Sequence, residues 1–350
     1  MSEFSSDVLS VIGEAVAVAR NGKIVFSNIP AAAILGGDAV GKKLSSVFGA
    51  EFSGAQADDF TANLSINGKN CIARSTRRNG EQILVFREVN YDSAMINDAF
   101  LYSMRSNLMV MNMTADHIRR MAEESGSEEM LATADTMSRN LASASRLITN
   151  VSDVCGIQAQ TLRFVPKTTD ISRLFSEYTD IAASLLPEID LSFEAPAGLE
   201  ATVDNDLMKH LLSNLISNSV LHGKCRKLSI RLINAADNVI LAVNDDGCGI
   251  RSEELYNVFE RYRGTFALSD ISRGAGLGLS AVMGIARLHG GTVLLESREG
   301  HGTAVWVSLR KNTVGTTMYS PGSPAEDVRD ILTGLADCVE EKRFREAYGE

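Results

Sequence analysis

Residues 243–250, VNDDGCGI, end an apolar, strand-like run with a carboxylate and two glycines. Gly247 and Gly249 give the chain the backbone freedom that a tight turn beside a ligand requires. Asp245, at the end of the run, can accept a hydrogen bond from an amine of such a ligand. Alone, the motif would also fit an ordinary acidic turn or a weak calcium loop.

The upstream segment HLLSNLISNSVLHG (210–223) has a helical pattern and two asparagines. Asn214 and Asn218 are four residues apart and therefore share one helix face. An amide oxygen can ligate Mg²⁺ or hold one of its waters. Asparagines at this spacing are usually two ordinary polar residues, so the segment has meaning only together with its neighbours.

Two downstream segments add a glycine-rich loop and a cluster of aromatic and basic residues. RGAGLGLS (273–280) precedes an apolar helix, and glycines there expose backbone N–H groups to an anion such as phosphate. NVFERYRG (257–264) offers guanidinium and aromatic groups that could cover a nucleotide. The residues concerned are Phe259, Arg261, Tyr262, Arg263, Gly274, Gly276 and Gly278.

In order and spacing, the four segments together resemble the Bergerat-type ATPase domain of sensor histidine kinases. The conserved sequence motifs of that family are NLxxNA, DxGxGI, FxRF and GxGLGL, followed by GGxxxxxSxxGxGT. The last of these is matched from Gly290-Gly291 to Gly302-Thr303, and Ser219 stands where the first box usually has Ala. The chain has no GxxxxGK[ST] motif, which disfavours a P-loop enzyme.

The resemblance implies that this region binds ATP and Mg²⁺. Asn218 would ligate Mg²⁺ with support from Asn214, and Asp245 would accept a hydrogen bond from the adenine amine. Arg261 and Tyr262 would belong to a lid. The implied ATP-binding residues are Asn214, Asn218, Asp245, Gly247, Gly249, Arg261, Tyr262, Gly274, Gly276, Leu277, Gly278 and Thr303.

Residues 1–91 are predicted to form a small α/β domain. Strand-like runs flank three Asn-Gly pairs, which favour the positive φ angles of tight hairpin turns. The pairs are Asn21-Gly22, Asn67-Gly68 and Asn79-Gly80. The opening stretch resembles a PAS sensor domain, and a structural domain without a ligand is the alternative.

Residues 92–158 predict two long helices that turn at SGS (125–127). Apolar or small residues at alternating spacings of three and four indicate a bundle seam on the first helix. They are Leu101, Met104, Leu108, Met111, Ala115, Ile118 and Ala122. Because one hairpin would leave its apolar stripe exposed, we expect a homodimer that forms a four-helix bundle.

The phosphoacceptor histidine of the family is missing from this hairpin. Aligning the apolar positions places Ser106 in the histidine slot, and aligning Ser103 with the family serine places Met104 there. The first alignment is preferred because Met104 falls on the predicted buried seam, whereas an acceptor must face solvent. His117 is too near the turn for the family geometry, and Ser106 has no evident base.

The overall expectation is an α+β multidomain protein: a PAS-like domain, a helical hairpin, a Bergerat-type ATPase domain at 159–311 and a tail at 312–350. The chain has 350 residues and a net charge of −10, which argues against nucleic-acid binding. Apolar runs are too short for a membrane span, and five scattered cysteines indicate a reducing, cytoplasmic location. In the tail, Ser323-Pro324-Ala325-Glu326 predicts a helix that docks on its own domain or, alternatively, on a partner.

Two functions compete. One is a histidine-kinase-type ATP:protein phosphotransferase, which the resemblance pairs with a response regulator. The other is a non-catalytic ATP-binding module that acts through the shape of its dimer. A chaperone-like ATPase is a more distant third.

Overall fold

The structure is a computed structural model. It describes residues 9, 13–37, 39–48, 59–67, 69–78, 80–88, 98–158, 161–251, 254–255, 277–312 and 324–349. Across those ranges no helix combines the length and hydrophobicity that crossing a membrane requires.

The N-terminal part is a five-stranded antiparallel sheet with two short helices. Its elements are β1 (Ala15–Arg20), β2 (Lys23–Ser27), α1 (Ile29–Leu35), α2 (Ser45–Phe48), β3 (Asp59–Ile66), β4 (Lys69–Arg78) and β5 (Glu81–Glu88). The strand order is β2-β1-β5-β4-β3. The three predicted hairpins are confirmed, and in the first one Asn21 and Gly22 both have positive φ, 51° and 72°.

Two long helices follow, α3 (Asp98–Ser125) and α4 (Glu128–Gln158), with Gly126 at φ 65° in the predicted turn. The predicted seam of α3 is only partly buried. Leu101, Ala115 and Ala122 are buried, but Met104 is 36% exposed and Met111 is 49% exposed. In the single chain Met104 is therefore not fully covered, because α4 covers only one side of α3; its burial by a second copy stays a prediction.

The remaining strands and helices form a two-layer α/β unit. Its first elements are β6 (Lys167–Asp170), α5 (Ile171–Leu185), β7 (Asp190–Glu194), β8 (Glu200–Val203), α6 (Asn205–Ser217) and a π-helical turn (Asn218–Gly223). They are followed by β9 (Lys227–Asn234), β10 (Asn238–Asp245), α7 (Leu277–Leu288), β11 (Val293–Ser297) and β12 (Thr303–Arg310). The strands β11-β12-β10-β9-β7 are neighbours in that order, and their apolar side chains share one core with those of α5, α6 and α7.

The two sheets are joined into one of ten strands through β3 and β11. The antiparallel pairs include Thr61 with Leu295 and Ala62 with Leu294. Leu294 is 1% exposed and packs in the N-terminal core rather than in the core of its own unit. The N-terminal sheet is thus continuous, through β11, with the strands of the α/β unit.

The tail forms α8 (Pro324–Gly334) and α9 (Glu341–Gly349), and it docks on its own chain as predicted. The predicted apolar face is buried at Ile331, Leu332, Leu335 and Val339. The tail contacts α4, α5 and α6, so it touches both the hairpin and the α/β unit. Asp337 pairs with Arg146 of α4, and Arg343 pairs with Glu188 at 3.1 Å.

Replacing Leu335 by Ala should destabilise the protein by about 2–5 kcal/mol, because a fully buried leucine leaves a cavity between the tail and the domain. The free energy of unfolding is measured by chemical denaturation. Glu340→Ala, an exposed change nearby, is the control and should have little effect. Equal stability of the two variants would show that the tail does not dock in solution.

Candidate functional site

A cavity of about 380 Å³ opens where the end of α6, the end of β10 and the start of α7 meet. One part of its lining is apolar and another is polar. The apolar side chains are those of Leu215, Ile250, Leu279, Leu295 and Val305. The polar lining includes Asn218, Ser219, His222, Asp245 and Thr303. A ligand with an apolar ring and polar substituents matches this division.

Asp245, the last residue of β10, lies in the polar part of the cavity. Its Oδ1 accepts hydrogen bonds from the backbone N–H groups of Gly247 at 3.0 Å and Thr303 at 3.1 Å. Its Oδ2 accepts one from the hydroxyl of Ser219 at 2.9 Å. Burial raises the pKa of Asp245, and these three donors partly oppose that rise.

The two glycines after Asp245 are required by close packing. A Cβ on Gly247 would lie 2.3 Å from the carbonyl oxygen of Gly223. Gly249 has φ of 66°, and a Cβ there would lie 2.0 Å from the carbonyl oxygen of Arg298. Any side chain at either position would push the turn out of place and move Asp245 with it.

Asn218 lies at the C-terminal end of α6, where the helix widens into the π-helical turn. Its side chain lines the cavity, and its Oδ1 is 3.4 Å from where a Cβ on Gly278 would be. Within the described part of the chain, no hydrogen bond occupies its carboxamide group. A carboxamide oxygen is a hard ligand of the kind that Mg²⁺ prefers, so the residue fits the metal that the resemblance implies.

Asn214 points to the hairpin instead. Its Nδ2 donates to Asn150 Oδ1 at 2.8 Å, and Asn150 Nδ2 donates to Asn214 Oδ1 at 2.9 Å. Nδ2 also donates to the carbonyl oxygen of His210 at 2.9 Å, and the residue is 2% exposed. Asn214 therefore fixes α6 against α4. Of the two asparagines, Asn218 is the one that lines the cavity.

A second polar contact joins the same two helices. His210 Nδ1 lies 2.8 Å from Asp153 Oδ2, a carboxylate that is almost completely buried. Partial burial opposes protonation of His210, but the hydrogen bond and charge of Asp153 outweigh it, so the pKa of His210 is raised. Sequence reasoning missed Asn150, Asp153 and this role of His210. Polar residues within the apolar stripe of α4 were the available signal.

Another missed histidine supports the start of α6. His289 is fully buried, and its Nε2 accepts the backbone N–H of Asp204 at 3.0 Å while Nδ1 bonds to the carbonyl of Ile285. Burial lowers the pKa of His289, which favours the neutral ring. Asp204 caps α6 by accepting the N–H of Leu207. His289 is thus a structural residue that supports the start of α6, the helix that leads to both asparagines.

The other predicted site residues are distributed unevenly. Gly278 lies in the first turn of α7, close to both asparagines, and Thr303 lines the cavity. The side chain of Leu277 packs with Leu101, Val151 and Cys155 of the hairpin. Four further predicted residues lie outside the described ranges, namely Arg261, Tyr262, Gly274 and Gly276.

The family model for the "Histidine kinase-, DNA gyrase B-, and HSP90-like ATPase" matches residues 203–313, the segment that surrounds this cavity. Residues 203–313 are therefore an ATPase domain of this type, similar to the catalytic domains of histidine kinases.

The chain is similar to the signal transduction histidine-protein kinase AfsQ2 of Streptomyces coelicolor, with 29% identity over 204 residues. It is also similar to the sensor-like histidine kinase SenX3 of Mycobacterium tuberculosis, with 36% identity over 124 residues. These matches cover 58% and 35% of this chain, but only 35% and 30% of the relatives. Full-length ShkA, solved with AMPPNP, shares the fold at a TM-score of 0.50 and 18% identity, over 62% of this chain and 46% of ShkA.

The contact between His210 and Asp153 predicts a pH-dependent stability. Because the folded-state pKa of His210 is raised, its stabilisation is fully present below the usual value of 6.5 and is lost as the pH rises through the folded-state pKa. We expect the contact to contribute less than about 1 kcal/mol to the free energy of unfolding, since 35% of the His210 side chain is exposed.

The measurement is the difference in unfolding free energy between wild type and His210→Gln from pH 5 to 9. This difference should shrink as the pH rises. His301→Gln changes an exposed histidine in the turn between β11 and β12 and is the matched control. A pH-independent difference for His210→Gln would refute the charged contact.

Proposed function

We propose that this protein binds Mg-ATP in the cavity around Asp245 and takes part in two-component-type signal transduction. One observation carries the proposal: a single cavity is lined by both Asp245 and the carboxamide of Asn218. Asp245 would accept the adenine amine, and Asn218 would hold Mg²⁺ beside the phosphates. The similarity to sensor histidine kinases supports the same assignment.

Ser106 and His117 are the candidate phosphoryl acceptors on the hairpin. Ser106, which the preferred alignment places in the family's histidine slot, is exposed on α3, and His117 is exposed on the same helix. No described residue forms a hydrogen bond with the Ser106 hydroxyl, so the described part of the chain places no base in contact with it. We therefore propose phosphoryl transfer to a partner or to an unexpected residue rather than conventional autophosphorylation.

The second candidate is a non-catalytic module in which nucleotide binding changes the shape of the dimer. The observation that favours it is the commitment of Asn214 to Asn150, which ties the helix beside the cavity directly to the hairpin. A nucleotide that moved α6 would then move the hairpin without any transfer of phosphate.

We also infer that the protein is a homodimer and that its partner is a response regulator. Large apolar side chains remain exposed along α3 of the single chain, and a second copy would cover them as in a four-helix bundle. They include Phe100, Tyr102, Met109, Val110 and Met113, which are 55–76% exposed. The response regulator is proposed from the family resemblance.

Asn218→Ala should weaken Mg-ATP binding by about tenfold or more while leaving the fold intact, because it removes the proposed metal ligand from a partly exposed position. Isothermal titration calorimetry with and without Mg²⁺ measures the effect. Asn234→Ala, an exposed change at the end of β9, is the control. If Asn218→Ala bound Mg-ATP as wild type does, the metal assignment would be wrong.

Incubation with γ-labelled ATP should separate the two candidate functions. Acid-labile, base-stable label on the protein indicates phosphohistidine, and acid-stable label that disappears in Ser106→Ala indicates phosphoserine. Tight ATP binding without label, alone or with a response regulator, indicates the module. We expect no label on Ser106, because no described residue is bonded to its hydroxyl as a base. Loss of label in His117→Ala together with its retention in Ser106→Ala would identify His117 as the acceptor and contradict the proposed transfer to a partner or to an unexpected residue.

A further inference from the structure

The carboxylate of Asp245 is almost saturated by the protein itself. An ionised carboxylate has about four acceptor positions and no donor. Gly247 and Thr303 occupy two of them on Oδ1, and the hydroxyl of Ser219 occupies a third on Oδ2. With the described donors counted, one acceptor position, on Oδ2, is left for a ligand in the cavity.

The position of Ser219 in the π-helical turn directs its hydroxyl to Asp245 Oδ2. It is 6% exposed and is the second residue of the π-helical turn that follows α6. Single π-helical turns are often found at functional sites, since they redirect one side chain from the regular helix. The only proton of the hydroxyl is used on Asp245, so Ser219 cannot offer a donor to a ligand at the same time.

With this geometry, and resting on the proposed function, we propose that Ser219 positions Asp245 and thereby makes the cavity selective for purine nucleotides with a 6-amino group. Two donors fix Oδ1, and the third donor, on Oδ2, fixes the plane of the carboxylate. The remaining lone pair then points in one direction. A 6-amino group can donate to it, a 6-oxo group is repelled by it, and an unsubstituted ring makes no bond with it.

The family motif usually has Ala at this position, and Ala would leave two acceptor positions open on Oδ2. Water or a differently placed N–H group could then satisfy the carboxylate, and the choice of base would depend on it less. If the Ser219 hydroxyl were only structural, the expected result would differ, because its removal would weaken the binding of every nucleotide by the same factor.

The test uses the full chain and three Mg-nucleotides: ATP, GTP and purine riboside triphosphate, which lacks any 6-substituent. Wild type should prefer ATP over both others. In Ser219→Ala the ratio of the affinities for ATP and purine riboside triphosphate should fall by about tenfold, as expected for a hydrogen bond to a charged group. Ser219→Thr keeps the hydroxyl and should restore the ratio.

Ser213→Ala is the matched control, because it removes another buried hydroxyl of α6, which bonds to Tyr178 at 2.6 Å outside the cavity. Its nucleotide ratio should equal that of wild type. An unchanged ratio in Ser219→Ala, or an equal loss for all three nucleotides, overturns the role of Ser219. Wild-type binding that does not distinguish ATP from purine riboside triphosphate also overturns it, without any variant. A wild type that binds none of the three overturns the proposed function itself.

Discussion

A partly buried carboxylate at the end of β10 sets the geometry of the site. Burial disfavours the ionised form of Asp245, so the protein must supply donors to it. The donors come from three separate segments: Ser219 after α6, Gly247 in the following turn and Thr303 at the start of β12. Their convergence brings the π-helical turn and two strand ends together. The cavity is the space enclosed between them.

The same helix that borders the cavity is also the contact with the hairpin. Asn214 faces α4 and Asn218 lines the cavity one turn later, so a rigid displacement of α6 moves both side chains. One element therefore contacts both the hairpin and the cavity. By reciprocity, a ligand can change the docking only as far as its affinity differs between the docked and undocked states.

Sequence reasoning succeeded where the determining signal is local. Asn-Gly pairs predicted the hairpin turns, and the glycines around Asp245 predicted its tight turn, because φ and close backbone contact depend on a few adjacent residues. It failed where the partner is distant in the chain. Asn150 and Asn214 are 64 residues apart, so their mutual amide bonds follow from packing rather than from any motif.

The incomplete burial of Met104 in one chain and the missed helix α9 both show what periodicity leaves undetermined. A heptad pattern shows that a stripe needs a cover, but not whether the cover is the same chain. The residues of α9, EKRFREAYG, are mostly charged, so their periodicity is too weak to predict a buried helix. Its docking depends on Phe344, 1% exposed and stacked on Tyr348.

Once α9 is docked, it becomes part of the hairpin's electrostatics. Asp135 of α4 is 1% exposed and is paired with Arg119 of α3 at 3.5 Å and with Arg345 of α9. Without the tail, one arginine would remain for a carboxylate deep in the helix pair, and an incompletely paired buried charge is costly. The tail's apolar face is likewise occupied by its own chain. On the described helices of the hairpin and tail, most of the large apolar side chains that remain exposed therefore lie on α3.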